Sequence, residues 1–252
     1  MPPARKRPRR YDPAKTRAAV LAQLGQVREA VRDLDSEPVL RLTASVAASL
    51  AEVGHAVARP AGPRATLTPA EWFLAPGTGP SASDAPLAPL APDAPLTPLA
   101  DVERALRDLL DAHPDERLVE TGAGVMTLDD FLVTRLVHLV LCADDLTTSV
   151  PGLDVPLDRQ ALAAATRVLA DALALKAPGG STEVRVPPYA VVQCVEGPRH
   201  TRGTPPNVVE TAPLTWLRLA TGRLTWPDAL ARAEVSASGE RADLSGLLPL
   251  LP

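Results

Sequence analysis

The chain has 252 residues, a net charge of −4, 46% hydrophobic and 3% aromatic residues, and two cysteines. That length holds one large or two modest domains, and two are expected, each able to bury a core. The acidic balance argues against a nucleic-acid partner, no apolar run reaches the roughly 18 residues of a membrane-spanning helix, and two distant cysteines make no disulfide framework.

Residues 1–12 set Arg5, Lys6, Arg7, Arg9 and Arg10 among prolines. They read as a disordered basic tail, either an arm for RNA or an anionic lipid head group or a solvated terminus. No apolar segment follows, so no secretory signal is expected and the cytoplasm is the expected compartment. From Pro13 the positions Val20, Leu21, Leu24, Val27, Val31 and Leu34 recur at helical spacing, and a second helix is predicted from Pro38 to Ala58. The short joint between them predicts an antiparallel pair. The Pro- and Ala-rich stretch 59–98 reads as an extended, mobile insertion, with Trp72 and Phe73 as its anchors.

A third helix is predicted from Leu99 to Ala112, then a hairpin through Val119, a Gly122 to Gly124 turn and Met126. Thr127 is placed to cap the next helix, TLDDFLVTRLVHLVLCADDL, whose continuous apolar content makes it the central helix of a bundle. A further helix from Asp158 to Lys176 stops at Pro-Gly-Gly, read as the domain boundary. Beyond it, EVRVPPYAVVQCV predicts two strands, with Pro187 and Pro188 marking an edge or a bulge. VVET leads into a helix capped by Thr211 and stopped by Gly222, and Thr225 caps a second one. EVSASGER reads as a strand and turn, and ADLSGLLPLL as a closing amphipathic helix. The fold class is α+β: a four-helix bundle over 13–177 and a small α+β domain over 182–252.

Three groups carry possible chemistry. His138, Cys142 and Asp145 share one face of the central helix, and Glu52 or His55 of the second helix could complete a zinc-type site with an open position. The competing reading is a buried neutral histidine, a small buried cysteine and a solvent-facing aspartate. Arg199, His200 and Arg202 occupy a Pro- and Gly-bounded loop suited to a carboxylate or phosphate, or to pairing with Glu196 and Glu210. Trp216, Leu217, Leu219, Leu224 and Trp226 either line an apolar pocket or are core. No phosphate-binding glycine loop, nucleophile elbow or CxxC pair is present.

The segment TWLRLATGRLTWPDALARAEVSASGERADLSGLLPLL resembles the C-terminal half of the sterol carrier fold, most closely that of the sterol-carrier-like proteins of actinobacteria. FLVTRLVHLVLCADDL is similar to the helical bundle of the mycothiol-dependent maleylpyruvate isomerases, a DinB-like fold. The resemblance implies a DinB-like bundle followed by a sterol-carrier-like domain. It puts His138 and Cys142 at the family's metal-ligand positions on the central helix, and Glu52, with His55 one turn on, near its second-helix histidine. The leading expectation is binding of an apolar or amphipathic small molecule, with Trp216, Leu217, Leu219 and Leu247 as walls and Arg199, His200 and Arg202 at the polar end. The alternatives are a mycothiol-dependent isomerase or transferase using zinc at an altered site, and an interaction protein with a degenerate bundle.

Overall fold

The computed structural model describes residues 8–77, 98–197 and 205–251. Helix α1 (Pro13–Ala30) starts where the sequence places it: Asp12 accepts the Lys15 N–H, and Pro13 occupies the first turn, where no N–H is needed. Its stripe of Val20, Leu24 and Val27 is fully buried. Helix α2 (Glu37–Ala58) buries Val39, Leu42, Val46, Leu50 and Val53 at the same helical spacing. The two helices do not form the expected pair. Each lies instead against α4 (Leu99–Ala112) and against α5 (Leu128–Ser149). The physical reason is α5 itself, which is apolar almost all round and takes a helix on each side, with Leu132, Leu136, Leu139 and Leu146 all without exposure.

The stretch read as a mobile insertion is structured up to residue 77, and residues 78–97 lie outside the described residues. Within it, α3 (Pro69–Leu74) is held by a reciprocal capping box between Thr68 and Glu71. Trp72 and Phe73 dock into the core as anchors, their rings edge to face at 5.1 Å. The expected hairpin forms from β1 (Leu118–Thr121) and β2 (Gly124–Thr127), with Val119 opposite Met126. Thr66 ties the insertion to it, its N–H donating to Val125 O and its hydroxyl accepting from Val125 N.

Helix α6 (Arg159–Lys176) is capped by Asp158, which accepts the N–H groups of Gln160 and Ala161. Gln23 of α1, fully buried, bridges the loop before it by donating to Pro156 O and accepting from Asp158 N. The sheet runs β4 (Ala190–Cys194), β3 (Thr182–Val186), β5 (Val208–Thr211), β6 (Val235–Ser238), with β3 and β5 parallel and the other pairs antiparallel. Pro187 and Pro188 form neither an edge residue nor a bulge. They lie in the turn beyond the last ladder pair, Val186 with Ala190, where no strand donor is required.

Two other expectations are corrected. VVET is strand β5, and Thr211 does not cap the following helix, because its hydroxyl donates to Glu234 O. Helix α7 (Pro213–Ala220) instead starts from Ala212 without a side-chain cap, whereas α8 (Trp226–Ala231) is capped by Thr225 as expected. The C-terminal ADLSGLLPLL is a series of turns and not a helix. Gly246 and Pro249 interrupt it, and its apolar residues Leu244 and Leu250 are buried individually, with Leu250 N donating to Ala220 O.

Helix α6 packs against α1, α3 and α5 and also against β4 and α7, so bundle and sheet share it. Two ion pairs reinforce the joint. Arg218 of α7 binds Asp144 of α5 through Nε at 2.8 Å and Nη2 at 2.5 Å, and Arg223 binds Asp145 through Nε and Nη2, both at 2.9 Å. The Asp144 side chain is 4% exposed, and the hydrogen bonds to it raise the Arg218 pKa. Removing one partner strands a buried charge, while replacing both with apolar groups does not. Arg218→Leu is therefore expected to lose about 3 kcal/mol in urea denaturation, and Asp144→Leu/Arg218→Leu to recover most of it. Equal losses in the single and double variants would show that the pair carries no joint.

Candidate functional site

The polar residues of the bundle interior gather where α2 meets the middle of α5. Arg135 and His138 stand three residues apart on α5 and Cys142 four further on, which sets them along one face. His138 Nε2 lies 3.2 Å from Ser45 Oγ of α2 and 3.4 Å from Cys142 Sγ. Burial and then the Arg135 charge push the His138 pKa down to about 3, opposed in part by the Ser45 backbone and aided least by the Arg223 charge. The imidazole is therefore neutral at pH 7.

Arg135 is the most unusual group in the bundle. It is 7% exposed, and its guanidinium carbon lies 5.1 Å from the Trp72 ring centre and 4.6 Å from that of Phe131. Nε donates to Thr134 Oγ1 and Nη1 to Ser49 O. Among the described residues no carboxylate is bonded to it, and burial lowers its pKa to about 10 against the weaker opposing charge of Glu52. The neighbouring Ser49 hydroxyl is also buried without a hydrogen-bond partner. A desolvated cation stabilised by ring faces and beside an unused hydroxyl is electrostatically set up to receive an anion.

The expected metal set is only half assembled. Glu52 and His55 face each other at 3.4 Å on an exposed part of α2, and Ser45, seven residues before Glu52, is what faces His138. Seven residues are two turns, so Glu52 shares the helical face but lies about 10 Å along it. Asp145 is partly exposed but bound to Arg223. Among the described residues no three His, Cys, Asp or Glu side chains converge on one point. A histidine, a thiol and a hydroxyl beside a buried guanidinium do not fit a tightly held zinc, which takes four N, S or carboxylate donors.

Of the other residues singled out, Trp216, Leu217 and Leu219 are solid core, at most 2% exposed, and Leu247 is half-buried against them. Arg199, His200 and Arg202 lie outside the described residues. Sequence reasoning passed over Arg135, Ser45 and Ser49. The signal was there in Arg135, a lone charge inside the most apolar helix, and in the four-residue spacing of the two serines.

Residues 158–250 match the family model described as bacterial SCP ortholog, so α6 is counted with the sheet. Crystal structures of the mycothiol-dependent maleylpyruvate isomerase and of a histidine-to-alanine mutant of it are similar to this chain. Each has a TM-score of 0.54 and 14% identity, covering 92% of this chain and 95% of theirs. That likeness establishes the fold, a DinB-like helical bundle followed by a sterol-carrier-like α+β portion. No curated protein matches the chain. No helix among the described residues is long and apolar enough to cross a membrane.

The depressed His138 pKa has a measurable sign. Between pH 6.5 and about 3 the unfolded chain takes up a proton on this residue that the folded chain refuses, so its contribution to stability is lost as pH falls through that window, by at most about 1.4 kcal/mol per pH unit. Asp130 works the other way, because burial and Asp129 raise its pKa to about 6. The comparison of wild type with His138→Gln isolates the histidine. The variant is expected to lose less stability between pH 6.5 and 4 in urea titrations, and parallel curves would place a protonated histidine in the fold.

Proposed function

We propose that the protein binds a small amphipathic molecule with an acidic head group, and that the head group sits against Arg135 where α2, α3 and α5 meet. The observation that carries this reading is the buried guanidinium without a carboxylate partner, beside a buried hydroxyl that also lacks one. The ring faces, two hydrogen bonds and the more distant Glu52 charge compensate the guanidinium only in part, and an anionic ligand would complete that compensation. Trp72 and Phe131 offer apolar ring surface next to the charge, as an amphipathic ligand requires. The match of residues 158–250 to the bacterial SCP orthologues supports a lipid-type ligand. Trp216, Leu217 and Leu219 are buried, and the rings that lie next to a buried charge are those beside Arg135, so the apolar contact is assigned to them.

A second reading rests on the fold shared with the mycothiol-dependent maleylpyruvate isomerase and on the Cys142–His138 pair. In it the same anion-receptive interior holds mycothiol, and the protein is a thiol-dependent isomerase or transferase. The neutral His138 would accept a hydrogen bond from the thiol, orienting it, and Arg135 would hold a carboxylate of the substrate. Zinc has no part in this reading, for want of donors.

Trp72 lies on Arg135, so its fluorescence reports on the site. Titration with decanoate is expected to give a saturable change, and decanol of the same chain length a much weaker one. Arg135→Met, which replaces a buried cation with an apolar side chain of similar length and does not threaten the fold, is expected to weaken decanoate at least tenfold, about 1.4 kcal/mol. Equal binding of acid and alcohol, or an unchanged Arg135→Met, overturns the assignment. Turnover of maleylpyruvate that depends on added mycothiol would decide for the second reading.

A further inference from the structure

On another side of α5, the N-terminal segment, α1 and α6 border a half-open cavity of about 390 Å³. Arg9, Arg10, Tyr11 and Lys15 line it from the N-terminal side and Arg167 from α6, while the fully buried Leu136 of α5 contributes to an apolar floor. Four of these side chains are cationic, against one carboxylate in the lining, Asp12, in a chain whose net charge is −4. Asp12 is already engaged as the α1 cap, accepting the Lys15 N–H.

The cations are not used up by the fold. Arg9 is held by Asp171, with Nε at 2.7 Å from Oδ2, which anchors a segment that composition alone assigns to a disordered tail. Arg167 donates to a neutral carbonyl, Tyr189 O, and lies 5.9 Å from the Tyr189 ring centre. Among the described residues, Arg10, Lys15 and Arg167 have no carboxylate partner. The Tyr11 hydroxyl is buried and has no hydrogen-bond partner. Both α1 and α6 begin at this cavity, each an 18-residue helix whose positive end adds to the field.

We propose that this cavity is a binding site for a phosphomonoester with a short apolar group. A phosphate carries the two negative charges that the unpaired cations call for, and its oxygens accept from a guanidinium, an ammonium and the Tyr11 hydroxyl at once. The apolar group lies on the Leu136 floor. The site is separate from the Arg135 face of the bundle and does not depend on the function proposed there.

Isothermal titration of the full chain at fixed ionic strength, with phenyl phosphate and with inorganic phosphate, tests the assignment. Phenyl phosphate is expected to bind one per chain and at least fivefold more tightly than inorganic phosphate. Lys15→Gln, at an exposed position that cannot upset the core, and Arg167→Gln are each expected to weaken it at least fivefold, and Arg135→Met to leave it unchanged. No saturable binding of either probe, or binding unaffected by Lys15→Gln combined with Arg167→Gln, overturns the site. Equal affinity for the two probes overturns the phosphomonoester in favour of a bare anion.

Discussion

A helix buried on every side must find a partner for each polar group it carries, and α5 carries Arg135, His138, Cys142, Asp144 and Asp145 within a span of 11 residues. Much else in the molecule follows from how those groups are met. The two aspartates near its C-terminal end draw in Arg218 and Arg223 and so fix α7 and the turn after it. His138 is met by Ser45 and Cys142, which sets how α2 faces α5. Arg135 is met only by ring faces, a hydroxyl and a carbonyl. Its charge is met by no bonded carboxylate among the described residues, only by the more distant charge of Glu52.

That imbalance separates a structural use of charge from a functional one. The Asp144 and Asp145 pairs are bidentate and closed, the arrangement in which partly buried ions hold a joint without inviting a ligand. Arg135 is open. The exposed Glu52–His55 contact contributes little to stability by comparison, since water screens it. The same contrast applies on the α1 and α6 side, where Arg9 is closed by Asp171 while Lys15 and Arg167 are not.

Much of the architecture was legible from residue patterns. The stripe of α1, the caps at Thr127 and Thr225, and the apolar α5 each have a local physical cause that a single sequence carries. What was not legible depends on distant partners. The N–H pattern around Pro187 and Pro188 suits an edge, a bulge or a turn, and only the β3–β4 pairing decides. Thr211 has the composition of a cap, but Glu234 O, 23 residues away, claims its hydroxyl. Ser45 and Glu52 share a face of α2, and spacing alone does not say which of them stands level with His138. The open Arg135 was visible as a charge in an apolar helix, but its lack of a counter-ion is a three-dimensional fact.

Helix α6 stands at once as the last helix of the bundle and as the first element of the segment matching the bacterial SCP orthologues. A boundary drawn after it on Pro-Gly-Gly divides the chain by composition but not by energetics. Its buried faces are Ala165, Val168, Leu169, Ala172 and Leu173, all without exposure, and neither neighbour can give them up without opening its own core. Packing of this kind couples the two units, since unfolding one strips buried contacts from the other. In native-state hydrogen exchange the slowest amides of the bundle and those of β3 and β4 should open together in one event.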